Sequence, residues 1–204
     1  LVALDAAGRI LSEIDGPGDG GRFLSPNDSH ADGRGGVYFS DPGAFARGAP
    51  ANGALYRVAP DGRVERMLQG LRYPNGVGVA GGRLLLSEHL ARRVLRFAVA
   101  EDGTLVPDGV FLDVAAHLSA RAFDYAETGP DGLEIAPDGT VYVAVYGAGA
   151  VLAVAPDGDV RRHDVATRFV TNVATDGARV AVVGAYDNAS PPMAGLVEIR
   201  PRDQ

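Results

Sequence analysis

Four segments of this chain carry an oxygen-bearing side chain at the same point of one recurring phrase. They are Ser25-Pro26-Asn27-Asp28, Tyr73-Pro74-Asn75-Gly76, Gly129-Pro130-Asp131-Gly132 and Val170-Thr171-Asn172-Val173. Each is followed by a short apolar run, a Gly-containing turn and a second apolar run. If such units pack around an axis, Asn27, Asn75, Asp131 and Asn172 are brought to one place. Amide and carboxylate oxygens are the ligands hard cations prefer, Ca2+ taking about six to eight of them. None of His30, His89, His117 and His163 shares the repeated position, and imidazole is not needed for a site of this kind. Asn, Asp, Pro and Gly are also the ordinary residues of turns, which is the bland reading of the phrase. Turn duty alone does not require the phrase to recur ahead of each inner strand.

The elements that would position these side chains are short strands. The marked residues are 48, 56 and 41 positions apart, near the roughly 40–50-residue period of four-stranded propeller blades. Gly36–Ser40, Arg83–Ser87 and Thr140–Val145 read as the second strand of successive blades. Val141-Tyr142-Val143-Ala144-Val145 is apolar throughout, as expected of a strand with sheet neighbours on both faces. Ala54–Val58 with Val64–Leu68, and Val151–Val154 with Val160–His163, read as outer hairpins. Their turns, Pro60-Asp61-Gly62 and Pro156-Asp157-Gly158, place Pro early and Gly at the left-handed position. The blades run Phe23–Gly70, Leu71–Val114, Gly129–Ala166 and, shorter, Arg168–Arg200, with Leu1–Ile14 a leftover hairpin. The expectation is a single all-β propeller domain over residues 1–204 with about four and a half blades. A closed ring hides its sheet edges, so about one and a half blades are expected upstream, or a second chain is expected to complete the propeller. Ala115–Thr128, with a helical turn, and Asp187–Ala194 depart from the repeat and read as long loops, the kind that shape pockets on a rigid scaffold.

Composition narrows the function. With 46 % hydrophobic residues the 204-residue chain can bury a sizeable core. The absence of Cys excludes disulfides, thiolate metal sites and a cysteine nucleophile. A net charge of −7 argues against nucleic acid and anionic membrane surfaces as partners. No apolar run approaches the length of a membrane span, and the expected location is cytoplasmic, with the periplasm as alternative.

Ser-Pro-Asn-Asp followed by Gly35–Pro42 (Gly-Gly-Val-Tyr-Phe-Ser-Asp-Pro), then Tyr73–Val77, Arg92–Phe97 (Arg-Arg-Val-Leu-Arg-Phe) and Pro130–Leu133, resembles the gluconolactonase family. That family also contains regucalcin (senescence marker protein) and the luciferin-regenerating enzyme. The resemblance covers essentially the whole chain in four ordered motifs. It implies a six-bladed β-propeller with one divalent cation near the channel mouth, most often Ca2+, with Zn2+, Mn2+ or Mg2+ as alternatives. It implies a small-molecule lactone as substrate and metal-dependent hydrolysis as reaction. By motif, Asn75 and Asp131 match metal ligands, and Asp131 also matches the proposed general base. Asn27 matches the Asn that contacts substrate or metal-bound water, with Asp28 its neighbour in the pocket. Asn172, at the fourth repeat position, joins Asn27 and Asp28 on the substrate side. Two positions depart from the family. Its Glu-Gly-Pro phrase is absent, Glu13 standing in Ser-Glu-Ile-Asp, and Ser25 stands where regucalcin-like members carry Arg.

The mechanism this implies is polarisation of the lactone carbonyl by the cation while Asp131 takes a proton from the attacking water. Two other readings stay open. One is a biosynthetic tailoring enzyme using the pocket on another cyclic or carbonyl substrate. The other is a non-catalytic propeller that binds a metal or ligand, since propellers host many functions.

Overall fold

The computed structural model describes residues 1–187 and 194–202. The loop expected over Asp187–Ala194 lies, apart from its two end residues, outside the described residues. The described chain is all-β apart from short 3-10 helices, and none of its helices is long and apolar enough to cross a membrane.

Strands follow one another in antiparallel order. β1 (Val2–Leu4) and β2 (Ile10–Glu13) form a hairpin. β3 (Ser29–Ala31), β4 (Val37–Asp41), β5 (Gly53–Val58) and β6 (Val64–Leu71) form one sheet in sequence order. β7 (Pro74–Ala80), β8 (Arg83–Glu88), β9 (Arg93–Val99) and β10 (Leu105–Asp113) form the next. β11 (Gly129–Ile135), β12 (Val141–Tyr146), β13 (Ala150–Val154) and β14 (Val160–Asp164) repeat the order. β15 (Phe169–Thr175), β16 (Arg179–Ala185) and β17 (Gly195–Pro201) follow, joined to β12 through the single pair Tyr146–Phe169. The first strand of each unit packs against the first strand of the next, so β3, β7, β11 and β15 form a propeller-like arc of inner strands.

The outer hairpins turn where the sequence indicates. Gly62 and Gly158 have φ of 85° and 92°, which a Cβ would strain. Asp61 and Asp157 each accept the N–H two residues on, at 3.1 Å. The expected loop at Ala115–Thr128 contains two 3-10 helices, Val114–His117 and Ala120–Asp124.

Side-chain alternation explains the continuous apolar strands. On β12, Val143 and Val145 point into a cluster with Leu85, Val94 and Leu133. Tyr142 and Ala144 point the other way, into a cluster with Val170, Val173 and Val182. β8 divides likewise, Leu85 to one side and Leu84 and Leu86 to the other, beside Tyr38 and Phe97. Each such strand is the filling between two sheets, and each fully buried Leu or Val contributes about 1.5–3 kcal/mol.

One expectation is corrected. The marked Asn and Asp residues of the second, third and fourth units do not precede the inner strands; they lie within them. Pairing of β7 with β8 jumps from Pro74–Glu88 to Val77–Leu86, leaving Asn75 and Gly76 opposite Ser87. Pairing of β11 with β12 jumps from Pro130–Val145 to Leu133–Val143, leaving Asp131 and Gly132 opposite Ala144. These are β-bulges, which re-aim a side chain without ending the strand. β7 and β11 are edge strands, each paired on one side only, where Pro74 and Pro130 cost no ladder bond. The glycines serve close approach. A Cβ on Gly76 would overlap the Asp131 carbonyl oxygen and lie 2.8 Å from Leu133 N.

Gly76→Ala is therefore expected to destabilise the chain by about 1–3 kcal/mol through overpacking, measured by urea unfolding. An unchanged midpoint would show that the two inner strands separate without cost.

Candidate functional site

The two bulges, with the segment before β3 and the start of β15, surround one cavity of about 480 Å³. Asn27, Asp28, Asn75, Asp131 and Asn172 all line it, beside Phe45, Tyr73, His89 and Tyr146. The structure thus brings together every residue that the sequence singled out for chemistry.

Each is held differently. The Asn27 N–H donates to the Ser40 carbonyl at 3.0 Å, fixing the segment to β4 while the side chain stays exposed. The Asp28 carboxylate accepts the N–H of Ser29 at 2.9 Å and that of Val77, on the next unit, at 2.8 Å. Asp28 is a stitch between two sheets as well as part of the cavity wall. Asn75 is buried, and its side chain faces the Asp131 carboxylate closely enough to lower that group's pKa. The Asn172 Oδ1 accepts the Val173 N–H at 2.8 Å. Ser25 is engaged away from the cavity: its N–H donates to the buried Asp41 carboxylate and its hydroxyl to the Gly43 carbonyl. Glu13 lies on the exposed strand β2.

The electrostatics centre on Asp131. It is half-buried, with surface on the cavity, yet enough protein surrounds its carboxyl that desolvation pushes its pKa up to about 8. The hydrogen bond from Asn75 opposes this rise and the nearby Asp28 charge adds to it. Burial also raises Asp28, against the two backbone N–H groups it accepts. Two carboxyls thus share a cavity wall with no Arg or Lys on it, an arrangement that favours a bound cation or a proton.

The Asp131 carboxylate and the Asn75 amide fit a hard cation held by oxygen, with the Asn27 and Asn172 amides lining the same cavity. Among the described residues no three His, Cys, Asp or Glu side chains gather as a metal cluster, so the charge donated is small.

Sequence reasoning missed the aromatic wall. Phe45 and Tyr73 rings lie 4.8 Å apart, Phe45 and His89 5.2 Å, and Phe45 and Tyr146 5.9 Å. These residues come from loops and strand ends far apart in sequence, outside the repeated position. Tyr73 alone carried a signal, as the residue before the Pro-Asn-Gly phrase.

Residues 2–181 match the sequence model of the SMP-30/Gluconolactonase/LRE-like region. Among curated proteins, the lactonase drp35 of Staphylococcus saprophyticus subsp. saprophyticus is 32 % identical over 158 residues, covering 74 % of this chain and 44 % of that protein. A gluconolactonase from Xanthomonas campestris superposes with a TM-score of 0.66 at 22 % identity, covering 98 % of this chain and 65 % of that one. A calcium-binding protein, regucalcin, from Agrobacterium tumefaciens str. C58 superposes with a TM-score of 0.63 at 22 % identity, covering 81 % of this chain and 55 % of that one. At such identity the structural likeness speaks for the fold. The chain spans less than half the length of that curated relative.

The raised Asp131 pKa has a consequence for stability. A carboxyl whose folded pKa lies above its unfolded value stabilises the fold fully below the unfolded pKa, and this is lost as pH rises through the folded one. In chelator, Asp131→Asn should therefore be more stable than the parent above pH 8, by on the order of a few kcal/mol. The gap should close towards pH 3.8, the ordinary carboxylate value. Thermal melts across that range would show it, and a gap independent of pH would contradict the buried, proton-hungry Asp131.

Proposed function

The chain belongs to the SMP-30/Gluconolactonase/LRE-like family, and from that premise we propose that its cavity opens lactones by cation-dependent hydrolysis. The observation that supports this best is the placing of Asn27, Asp28, Asn75, Asp131 and Asn172 on one cavity wall with Asp131 kept short of positive partners. The same reading takes residues 1–204 as a single propeller domain that carries about four and a half of the family's six blades. It needs no second chain to supply these site residues.

The Asp131 carboxylate and the Asn75 amide oxygen would hold a divalent cation, Ca2+ first and Zn2+, Mn2+ or Mg2+ as alternatives. When bound, the cation polarises the lactone carbonyl. The rest falls to the chain. Asn27 and Asn172 offer amide N–H groups to the carbonyl and ring oxygens of the substrate and so orient it. The Asp131 carboxylate accepts a proton as water attacks the carbonyl carbon. The same proton passes to the ring oxygen as the acyl C–O bond breaks, giving the hydroxy acid. Asp28, held by Ser29 and Val77, keeps Asn27 in place and disfavours an uncompensated charge on Asp131.

The wall opposite this polar group narrows the substrate. Phe45, Tyr73 and Tyr146 present ring faces and edges, and Ser25 turns its hydroxyl elsewhere. A polyhydroxylated lactone would lose water hydrogen bonds against the Phe45 ring without replacement. A lactone carrying an apolar substituent gains by burying it there.

Proton release from a lactone panel with added Ca2+, Mn2+ or Zn2+, and again with chelator, tests both parts. Turnover is expected only with cation, and Asp131→Asn is expected to lower kcat/KM by about 100-fold or more. Phe45→Ala should lower kcat/KM for substituted lactones more than for sugar lactones. Turnover unchanged by chelator would end the cation reading, and an equal Phe45→Ala effect on both classes would end the substrate reading.

A further inference from the structure

His89 has no place in the repeat and none in the chemistry above, yet it is one of the largest fully buried side chains and lines the cavity. It follows β8 directly and opens a 3-10 turn, His89–Ala91, that closes at Arg92. That turn touches both strands that carry the candidate ligands. Towards β7, the His89 N–H donates to the Tyr73 carbonyl at 3.0 Å, two residues before Asn75. Towards β11, the ring Nε2 lies 2.7 Å from the Glu127 carbonyl. A carbonyl only accepts, so Nε2 carries the proton. Gly129, two residues before Asp131, packs so closely that a Cβ there would lie 2.9 Å from His89 Cδ2 and overlap the His89 carbonyl. Arg92 takes the carbonyls on either side of Glu127, those of Ala126 and Thr128, at 3.2 Å each. Three successive carbonyls ahead of Asp131 are therefore held by one turn.

The geometry points to His89 as a positioning residue: it sets the separation between Asn75 and Asp131 by gripping the segment before each. His89 and Tyr73, which this grip joins, both line the cavity. The Phe45 ring meets the His89 ring edge-on at 5.2 Å and Tyr73 at 5.7 Å, so His89 cannot swing away from Glu127 without opening the aromatic wall. Burial keeps it neutral, with a pKa of about 4, despite the carbonyls facing it, so its hold does not change through the neutral range.

The inference rests on Asn75 and Asp131 as cation ligands, and two readouts on the 204-residue chain separate its failure from the failure of that reading. The first needs no cation: the side-chain amide resonance of Asn75 in nitrogen-15 spectra reports how closely it stays beside Asp131. The second is Tb3+ binding, followed by luminescence sensitised by the nearby tyrosines. His89→Phe keeps a ring and removes the donor. It should shift the Asn75 amide towards a solvent-exposed value and weaken Tb3+ binding about 10-fold or more, the usual scale for loss of a residue that orients a ligand. His89→Gln keeps a donor and should stay within a few-fold of the parent in both. If His89→Phe does not fold, His89→Met takes its place in the comparison. An unmoved Asn75 resonance in the donor-less variant overturns the proposal, as does a His89→Gln protein no better than His89→Phe. A parent chain that binds no Tb3+ overturns the cation reading instead, while the Asn75 resonance still decides the role of His89.

Discussion

The site depends on how closely the inner strands approach. β7 meets β11 where Gly76 faces Asp131 and Gly132, and β11 meets β15 where a Cβ on Gly132 would lie 2.9 Å from the Thr171 carbonyl. Any side chain at these positions would hold the strands apart. Because the glycines stand next to Asn75 and Asp131, the points of closest approach are also the points where polar side chains emerge. The bulges follow from the same constraint. A regular ladder would send alternate residues to opposite faces of each sheet, whereas a doubled residue opposite Ser87 or Ala144 aims Asn75 and Asp131 along the edge, towards the cavity. The first unit solves the problem with a charge. Asp28 occupies the place of glycine, and its carboxylate takes the Val77 N–H across the gap.

Packing two carboxyls into this narrow place creates an electrostatic debt. Elsewhere two buried acids meet guanidinium groups. Asp32 meets Arg57 at 2.7 Å, and Glu88 accepts both the Arg72 N–H and the Arg93 guanidinium. Arg57 also donates to Asp32 through Nε, and that pairing with the surrounding N–H groups holds the Asp32 carboxyl below the usual range. Asp131 has an amide for its partner and rises instead. The contrast separates acids that bind sheets together from one left able to take a proton or a cation, and it is the physical ground for placing chemistry at Asp131.

Much of this was legible in the chain itself. The Pro-Asp-Gly turns fix the outer hairpins, because only glycine is at ease at φ near 90° there. The unbroken apolar run Val141–Val145 announces a strand filled from both faces. The repeated Asn and Asp positions identify the polar half of the cavity. Their place inside strands was not legible, since Pro, Asn and Gly read as a turn wherever they stand together, and a bulge uses the same residues. A glycine flanked on both sides by strand-forming residues, as in Gly76-Val77-Gly78-Val79, was the available sign. The aromatic half was out of reach. Phe45, Tyr146 and His89 meet only through the arrangement of sheets, and no local spacing encodes it.

Tyr73 shows what that arrangement sustains. It sits at φ 60°, left-handed for a bulky residue, and it precedes Pro74, which disfavours helical backbone of its own accord. Such a conformation costs on the order of 1–3 kcal/mol and persists only when its surroundings over-determine it. Here they do. The Tyr73 carbonyl is taken by His89 N–H, the preceding Arg72 carbonyl by Leu90 N–H at 3.1 Å, and the ring is wedged between Phe45 and His89. The strained turn lets the chain leave β6 at Leu71 and enter β7 with Asn75 already over the cavity, with no loop between. A relaxed extended Tyr73 would lengthen that passage and carry Asn75 away from Asp131. The aromatic wall is therefore more than a lining of the cavity: its packing stabilises the backbone that aims the polar wall, so the two halves of the cavity hold each other in place.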